Sequence, residues 1–147
     1  IMPSLVGSEM CIRDRGDFYG AIQDLDQVIA IDSQYFDAYV KRGDVKNEKL
    51  HYKEAIEDYA KALGINPDDE SIILKQGRTQ MALKSYLESI DSFNHLIELD
   101  ANNHDAYYLR GLIYIHLNKN EQGCKDLSKA GELGDKNAYK MIYEYCR

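Results

Sequence analysis

The sequence predicts an all-α fold, an α-solenoid in which antiparallel helix pairs stack side by side. The first observation is that the chain resembles itself when shifted by a constant repeat interval, which carries Gly43 onto Gly77 and Gly77 onto Gly111. The second is the spacing of apolar residues within each repeat, which follows the period of an α-helix. The third is a series of short polar breaks that end one helix and begin the next. A repeat of this length is typical of stacked helical hairpins.

Residues of similar size fall into columns when the chain is aligned at this interval. Small residues mark places where two backbones must lie close together, and bulky residues mark places where space must be filled. The glycine column is Gly43, Gly77 and Gly111; the small column is Ala21, Ala55, Ser89 and Gly123; the bulky column is Leu25, Tyr59, Phe93 and Leu127. Columns that stay in step indicate a true repeat.

Each repeat is predicted to contain two helices and a turn. Ala55, Tyr59 and Ala62 are spaced by three or four residues, which places them on one stripe of a helix. The breaks at 66–69 and 100–103 contain Asn, Asp and Pro, which end and cap helices. In chain order, we expect helices near 17–31, 36–48, 52–64, 70–82, 86–98, 104–117, 120–132 and 137–146. Helices this short are stable only when neighbours cover their apolar stripes.

The repeat register predicts the organisation of the chain. We expect a leader at 1–15, the second helix of an incomplete first repeat at 16–35, full repeats at 36–69, 70–103 and 104–137, and a capping helix at 138–147. The leader, interrupted by Pro3 and Gly7, resembles a translated sequencing adapter and is therefore non-native or disordered; the alternative is a poorly matched native first helix.

The capping helix is expected to close the last hairpin. Tyr139, Ile142 and Tyr143 are predicted to cover that hairpin, whereas the charged side chains of the helix face water. Cys124 and Cys146 should lie on neighbouring segments. They either form a disulfide bond or serve as two small core residues.

Composition limits the classes of function. Asp and Glu outnumber Lys and Arg by 25 to 18, which gives a net charge of -7. We therefore expect no nucleic-acid partner. No stretch approaches the roughly 20 apolar residues of a membrane-spanning helix, so no span is expected in the visible chain. The histidines are scattered and no CxxC pair occurs, so we expect no metal site and no cofactor.

Seven residues of the repeat at 36–69 form a specific pattern: Tyr39, Gly43, Tyr52, Ala55, Tyr59, Ala62 and Pro67. This pattern resembles the tetratricopeptide repeat family. The repeat at 70–103 keeps Gly77, Tyr86 and Phe93, and the repeat at 104–137 keeps Tyr107, Gly111 and Ala130. The resemblance covers residues 16–147 and implies a right-handed α/α superhelix.

The resemblance also implies where a partner binds. In this family the first helix of each pair lines a concave groove, and the residues carried over to it are Val40, Asp44, Asn47, Leu74, Arg78, Met81, Tyr108, Leu112 and Ile115. Such a groove suits an extended or helical peptide, held by apolar side chains near Tyr108, Leu112 and Ile115 and oriented by charges at Asp44 and Arg78. The alternative is that Leu112 and Ile115 are buried against the next hairpin or the capping helix.

We therefore expect a protein-interaction scaffold without enzymatic activity, since no nucleophile elbow, glycine-rich phosphate loop or HExxH motif occurs. Val40 and Asp44 replace two residues of the carboxylate clamp found in chaperone-binding members of the family, so that ligand class is not expected. An alternative is the regulatory or substrate-docking arm of a larger enzyme with an upstream catalytic domain. A third is self-association through an apolar stripe that consists of Ile22, Leu25, Val28 and Ile29. The sequence predicts neither the identity of the partner nor the compartment.

Overall fold

The computed structural model describes the backbone of residues 5–147 and the side chains from residue 17 onward. In this part of the chain, helices follow one another without strands. They are α1 (Leu5–Ile31), α2 (Phe36–Glu48), α3 (Tyr52–Ile65), α4 (Glu70–Ala82), α5 (Tyr86–Leu99), α6 (His104–His116), α7 (Asn120–Glu132) and α8 (Lys136–Tyr145). The chain divides into two compact units, the first ending at Ile65 and the second spanning Asn66–Arg147.

The predicted helices from α2 to α8 are confirmed, with each end within one residue of its expected position. The exception is α1, which begins at Leu5 instead of near residue 17. Side chains of residues 1–16 lie outside the description, as does the backbone of residues 1–4. The interpretation of residues 1–15 as a non-native or disordered leader stays a prediction.

In the first unit, α2 and α3 form an antiparallel pair. Lys46 lies 3.9 Å from Glu54, and Arg42, one turn earlier, lies 2.6 Å from Asp58, so the chain folds back on itself at the turn. The Tyr59 ring packs directly on the backbone at Gly43, where an added Cβ would lie 2.8 Å from ring atom Cε1. Glycine is therefore needed in this column for the two helices to approach.

The second unit contains two such pairs, α4 with α5 and α6 with α7, followed by α8. Phe93 packs on Gly77 as Tyr59 does on Gly43, and it is fully buried. Ser89, in the small column, is also buried, and its hydroxyl donates to the carbonyl of Gly77 at 2.7 Å. The bulky and small columns thus form the core of each pair, as the register predicted.

Each pair turns on the same hydrogen-bonded motif. In the first pair, His51 N–H donates to the carbonyl of Lys46 at 2.9 Å, and Leu50 N–H donates to that of Asn47 at 3.0 Å. These two bonds define a Schellman turn, which requires a left-handed residue after the helix. Leu50 has this conformation with φ 64°, and the equivalent residues of the next two repeats, Lys84 and Asn118, have φ 66° and 59°.

The connection between α7 and α8 uses the same short turn, with Gly134 at φ 104°. The N-caps of the first helices are Asp69 for α4, Asn103 for α6 and Asp135 for α8. Each of these three side chains accepts a hydrogen bond from a backbone N–H in its helix's first turn. Asp135 comes two residues earlier than the interval between Asp69 and Asn103 predicts, because α7 has 13 residues where α5 has 14 and the connection after α7 is one residue shorter than the connection after α5.

The face of α8 that packs on α7 is therefore set by the distance from its N-cap Asp135 and not by the repeat interval. Ala138 is consequently buried in the position that Ala106 holds in α6. The prediction that Tyr139, Ile142 and Tyr143 cover the last hairpin is wrong for Tyr143, which is 68% exposed. Ile142 is half-buried. The exposed Tyr139 still packs on α7, since a Cβ added at Gly131 would lie 3.2 Å from its ring atom Cε1 and its hydroxyl donates to the carbonyl of Gly131 at 3.0 Å.

A disulfide bond joins Cys124 of α7 to Cys146, the C-cap of α8. Their Cα atoms are 5.7 Å apart, and 22 residues of sequence separate them. Of the two alternatives predicted for this pair, the structure has the covalent bond and not two independent core residues.

Candidate functional site

The predicted groove residues all lie on the first helices of the pairs, and the two units contribute to them separately. In the first unit, α2 carries Val40, Asp44 and Asn47, which are half-buried. The hydroxyl of Tyr59 donates to Oδ1 of Asp44 at 2.7 Å. Burial, reinforced by this hydrogen bond and the negative charge of Asp44, raises the pKa of Tyr59 far above its ordinary range. Asp44 is thus held by the core of its own hairpin.

In the second unit, α4 carries Leu74, Arg78 and Met81, and α6 carries the remaining predicted residues. Arg78 donates from Nη2 to Oδ1 of Asp105 on α6 at 3.3 Å. Both side chains are exposed enough for solvent to weaken this pair. The positive charge predicted to orient a ligand is therefore already balanced by an acidic neighbour.

Three predicted residues meet in one recess of about 380 Å³. Met81 comes from the end of α4, and Leu112 and Ile115 come from α6. The remaining walls are supplied by Tyr86, Ile113, His116, Met141 and Tyr145. We call this recess the methionine pocket, because Met81 and Met141 contribute to it from different helices. Leu74, Arg78 and Tyr108 are not among its lining residues.

Tyr108 is half-buried on α6, four residues before Leu112. Burial and the nearby negative charge of Asp135 raise its pKa. Residues spaced by four lie on one face of a helix, so Tyr108 lies on the side of α6 that carries Leu112, although it does not line the methionine pocket.

Leu112 and Ile115 were predicted either to line the groove or to be buried against the next hairpin or the capping helix. Ile115 fits each of these alternatives in part. A Cβ added at Gly123 of α7 would lie 2.7 Å from Cδ1 of Ile115, so this side chain packs closely against the following helix. Ile115 is nevertheless only half-buried, whereas Ile113 is fully buried. Ile113 is the main core residue at this end of α6, and the flank of Ile115 remains in the methionine pocket.

Sequence reasoning did not include the pocket residues outside the first helices of the full repeats. Tyr86 begins α5, and its ring lies 4.7 Å from the ring of His116, the last residue of α6. Met141 and Tyr145 both come from α8. Their spacing of four residues, which places them on one helix face, was a usable signal. The sequence contained no such signal for the orientation of α8 that turns this face toward the pocket.

Two buried clusters of charge were also missed. In the first unit, Arg42 donates to both carboxylate oxygens of Asp58 at 2.9 and 2.6 Å and to Asp26 of α1 at 2.6 Å. Lys46 lies 2.8 Å from the same Asp58. Hydrogen bonding to Asp58 raises the pKa of Arg42 far above its ordinary range. The charges neutralise one another, so this cluster joins three helices and leaves little charge for a ligand.

The second unit contains the same arrangement two repeats further along the chain. Arg110 donates to both oxygens of Asp126 at 2.7 and 2.8 Å and to the side-chain oxygen of Asn94 on α5 at 2.7 Å. Hydrogen bonding to Asp126 raises the pKa of Arg110. In the repeat between them, Ser92 stands in the aspartate column and donates to Gln80 at 2.7 Å. The alignment columns contained this signal, but only the apolar columns were used.

Other site classes have little support in the described residues. In that part of the chain, no three His, Cys, Asp or Glu side chains are grouped so that they could hold a metal ion. Among the same residues, no helix combines the length and apolarity needed to cross a bilayer. The methionine pocket is therefore the candidate site that combines an accessible recess with several groove residues.

Comparison with known proteins agrees with the repeat pattern. A family model described as the tetratricopeptide repeat matches residues 36–69 and 104–133. The chain is 26% identical over 101 residues to anaphase-promoting complex subunit 3 of Schizosaccharomyces pombe, which covers 65% of this chain and 15% of that protein. It is 24% identical over 99 residues to human protein O-mannosyl-transferase TMTC3, covering 67% of this chain and 11% of that protein. The chain thus spans only a small part of these curated relatives.

Solved structures share the fold. A crystal structure of MamA superposes with a TM-score of 0.79 at 23% identity, covering 89% of this chain and 78% of MamA. The first tetratricopeptide repeat domain of Spaghetti, bound to an HSP90 peptide, has a TM-score of 0.71 at 23% identity, covering 78% of this chain and 93% of that domain. These similarities confirm the predicted all-α helical repeat fold.

Proposed function

The chain belongs to the tetratricopeptide repeat family, and from that premise we propose that it is a protein-interaction scaffold whose second unit binds a peptide segment of a partner protein. The methionine pocket carries this proposal, because an apolar recess between helices is the usual place for an anchoring side chain. The Spaghetti domain, which has the same fold, is bound to a peptide. In this chain, Met81, Leu112 and Ile115 would contact the anchor.

The pocket favours a large apolar side chain as that anchor. Its volume of about 380 Å³ exceeds that of any single side chain, and Met81 and Met141 can change rotamer to close around different shapes. Tyr86 and His116 lie together at the wall and offer a hydroxyl and an imidazole to the peptide backbone. Arg78 and Asp105 balance each other, so the surface beside them has no strong preference for the charge of the peptide.

An acidic C-terminal peptide is not the proposed ligand. The peptide bound to Spaghetti ends in the sequence EEVD. In this chain, Val40 and Asp44 occupy two positions of the family's carboxylate clamp, and Asp44 would repel such a terminus. We therefore propose recognition of an internal segment through its apolar side chain.

The test begins with selection of peptides from a random library on the purified chain, followed by measurement of Kd for the selected peptides. Leu112→Asp places a charge in the pocket and should weaken binding by at least about tenfold, which corresponds to about 1.4 kcal/mol. Leu87→Asp is the matched control, because Leu87 is an exposed leucine on α5 that does not line the pocket. It should leave binding unchanged.

Far-ultraviolet circular dichroism separates lost binding from lost folding. If Leu112→Asp also loses its helical signal, Met81→Ala provides the second variant, since Met81 is half-buried at the end of α4. Full binding by a folded Leu112→Asp variant would refute the proposal. So would equal losses in the Leu112 and Leu87 variants.

A second candidate is the regulatory or substrate-docking arm of a larger enzyme. It is supported by TMTC3, a protein named as a transferase, of which this chain matches only 11%. Sequencing the complete gene distinguishes the two functions. A catalytic domain in the same reading frame would favour the arm, and further helical repeats alone would favour the scaffold.

A further inference from the structure

We propose that the Cys124–Cys146 disulfide is a redox-sensitive latch that fixes α8 against α7 and thereby sets the wall of the methionine pocket. The bond joins the N-terminal half of α7 to the residue directly after α8. Its effect on ligand binding rests on the function proposed above. Its effect on the attachment of α8 does not.

Helix α8 has few noncovalent anchors. It is 10 residues long, and Ala138 is its only buried residue. At its start, the hydroxyl of Tyr139 donates to the carbonyl of Gly131 of α7, whereas at its end the carbonyl of Tyr145 lies 3.8 Å from Sγ of Cys124, one of the two disulfide sulfurs. A helix this short is marginal in water without tertiary support. The end of α8 therefore depends strongly on the covalent bond at Cys146.

The same end of α8 forms part of the pocket. Met141 and Tyr145 line it, and Tyr145 directly precedes Cys146. When the disulfide is intact, these two side chains are held opposite Leu112. When it is broken, the last turns of α8 can separate from α7 and the pocket loses one wall. The disulfide thus connects the thiol–disulfide balance of the surroundings to the shape of a candidate binding site.

The chemistry requires a thiol–disulfide exchange partner. Reduction by a dithiol begins when its thiolate attacks one sulfur of the pair, which forms a mixed disulfide and releases the other cysteine. The second thiol of the reductant then closes a cyclic disulfide. In total the dithiol loses two electrons and two protons, and Cys124 and Cys146 gain them as two thiols. Both cysteines are half-buried, so a small reductant has access to the bond.

Hydrogen–deuterium exchange of the intact chain, with and without dithiothreitol, tests the proposal. Reduction should speed exchange of the α8 amides by at least about tenfold, because it removes the closed loop that restricts local opening. Amides of α4 and α5 should be unchanged. Intact mass measured after rapid alkylation confirms the redox state by counting the blocked thiols.

Cys124→Ser combined with Cys146→Ser is the matched variant. It should exchange like the reduced wild-type chain and should not respond to dithiothreitol. Cys11→Ser can be added to both proteins so that only the proposed pair reacts. The proposal is overturned if α8 exchanges equally in the oxidised and reduced wild-type chain, or if both cysteines are alkylated before any reductant is added. A loss of peptide binding without faster α8 exchange would also overturn it.

The two proposals can fail separately. If reduction loosens α8 but the Kd of a selected peptide does not change, the latch remains and its control of the pocket is refuted. If no peptide depends on Leu112, the function proposed above fails while the exchange result still decides whether the latch exists.

Discussion

Replacing Gly43 with alanine tests the close contact that holds the first pair together. The added Cβ would lie 2.8, 3.0 and 3.3 Å from three ring atoms of Tyr59. The ring cannot move aside easily, because Tyr59 is 1% exposed and its hydroxyl is bonded to Asp44 at 2.7 Å. We therefore expect the helices to shift apart or the hydrogen bond to lengthen.

Two opposing terms determine the size of the effect. Alanine favours a helix over glycine by about 1 kcal/mol. Overpacking a rigid core site costs about 1–3 kcal/mol, and a contact this close with a buried ring belongs at the upper end of that range. Gly43→Ala should therefore destabilise the chain by about 1–2 kcal/mol, the difference between these two terms. Gly20→Ala, in the interior of α1, should stabilise it by up to about 1 kcal/mol, because no atom of the described residues lies within 4 Å of the added Cβ.

Urea unfolding followed by circular dichroism measures both variants. The midpoint should fall for Gly43→Ala and rise for Gly20→Ala, with little change in slope. If both midpoints rise, helix propensity dominates at both sites and the reasoning from close packing is wrong. If Tyr59→Leu removes the penalty of Gly43→Ala in a double-mutant cycle, the penalty is assigned to the ring.

Three further predictions concern buried charge, turns and pH. Asp58→Asn should lower the free energy of unfolding in urea by about 3 kcal/mol, because Asp58 is 3% exposed and bonded to Arg42. Asp26 is a 52% exposed partner of the same arginine, so Asp26→Asn should lower it by less than about 1 kcal/mol. Equal losses in the two variants would contradict the role of burial. Lys84→Gly should raise the free energy of unfolding by about 0.5–1 kcal/mol, because Lys84 has φ 66°, a left-handed conformation that glycine adopts without strain. A lower urea midpoint for this variant would refute the claim that the turn is strained at Lys84. The pKa of Tyr59 is raised in the folded chain, so its contribution to the free energy of unfolding is complete below the ordinary value of 10.0. As pH rises above that value, the contribution falls by about 1.4 kcal/mol per pH unit. Tyr59→Phe should therefore lose less stability than the wild-type chain when unfolding is measured across this pH range.

The repeat columns predicted α2 to α7 closely because each column reflects a local requirement. Glycine at Gly43 and Gly77 permits contact with an aromatic ring, and the apolar stripes repeat with the helical period. These requirements can be read from spacing alone. They also fixed the turns to within one residue, since the polar breaks between the stripes are short.

The orientation of α8 could not be predicted in the same way. It depends on an N-cap, Asp135, that comes two residues before the position expected from the repeat interval, whereas the prediction chose the covering face from the tyrosine and apolar residues of the helix. Gly134 in the turn was a signal for an early helix end, because glycine favours the left-handed conformation there. The prediction therefore failed for Tyr143, which faces solvent.

The candidate site was predicted in part. Met81, Leu112 and Ile115 meet in the pocket because they occupy the same end of neighbouring first helices. Arg78 pairs with Asp105, an interaction that no column records. The Arg42 and Arg110 clusters were missed although their charged residues also recur at the repeat interval, as Asp58 and Asp126 do, because spacing within one helix does not show which of them pair.

The short connection before α8 has a consequence for engineering longer proteins from this chain. Tyr143 stands as far beyond the N-cap Asp135 as Gly111 stands beyond the N-cap Asn103, so it occupies the place where the other first helices have glycine. A designed hairpin grafted after α8 would bring an aromatic ring against this tyrosine instead of against bare backbone. Elongation by copying a repeat should therefore succeed only when Tyr143 is changed to glycine and two residues are added beside Gly134.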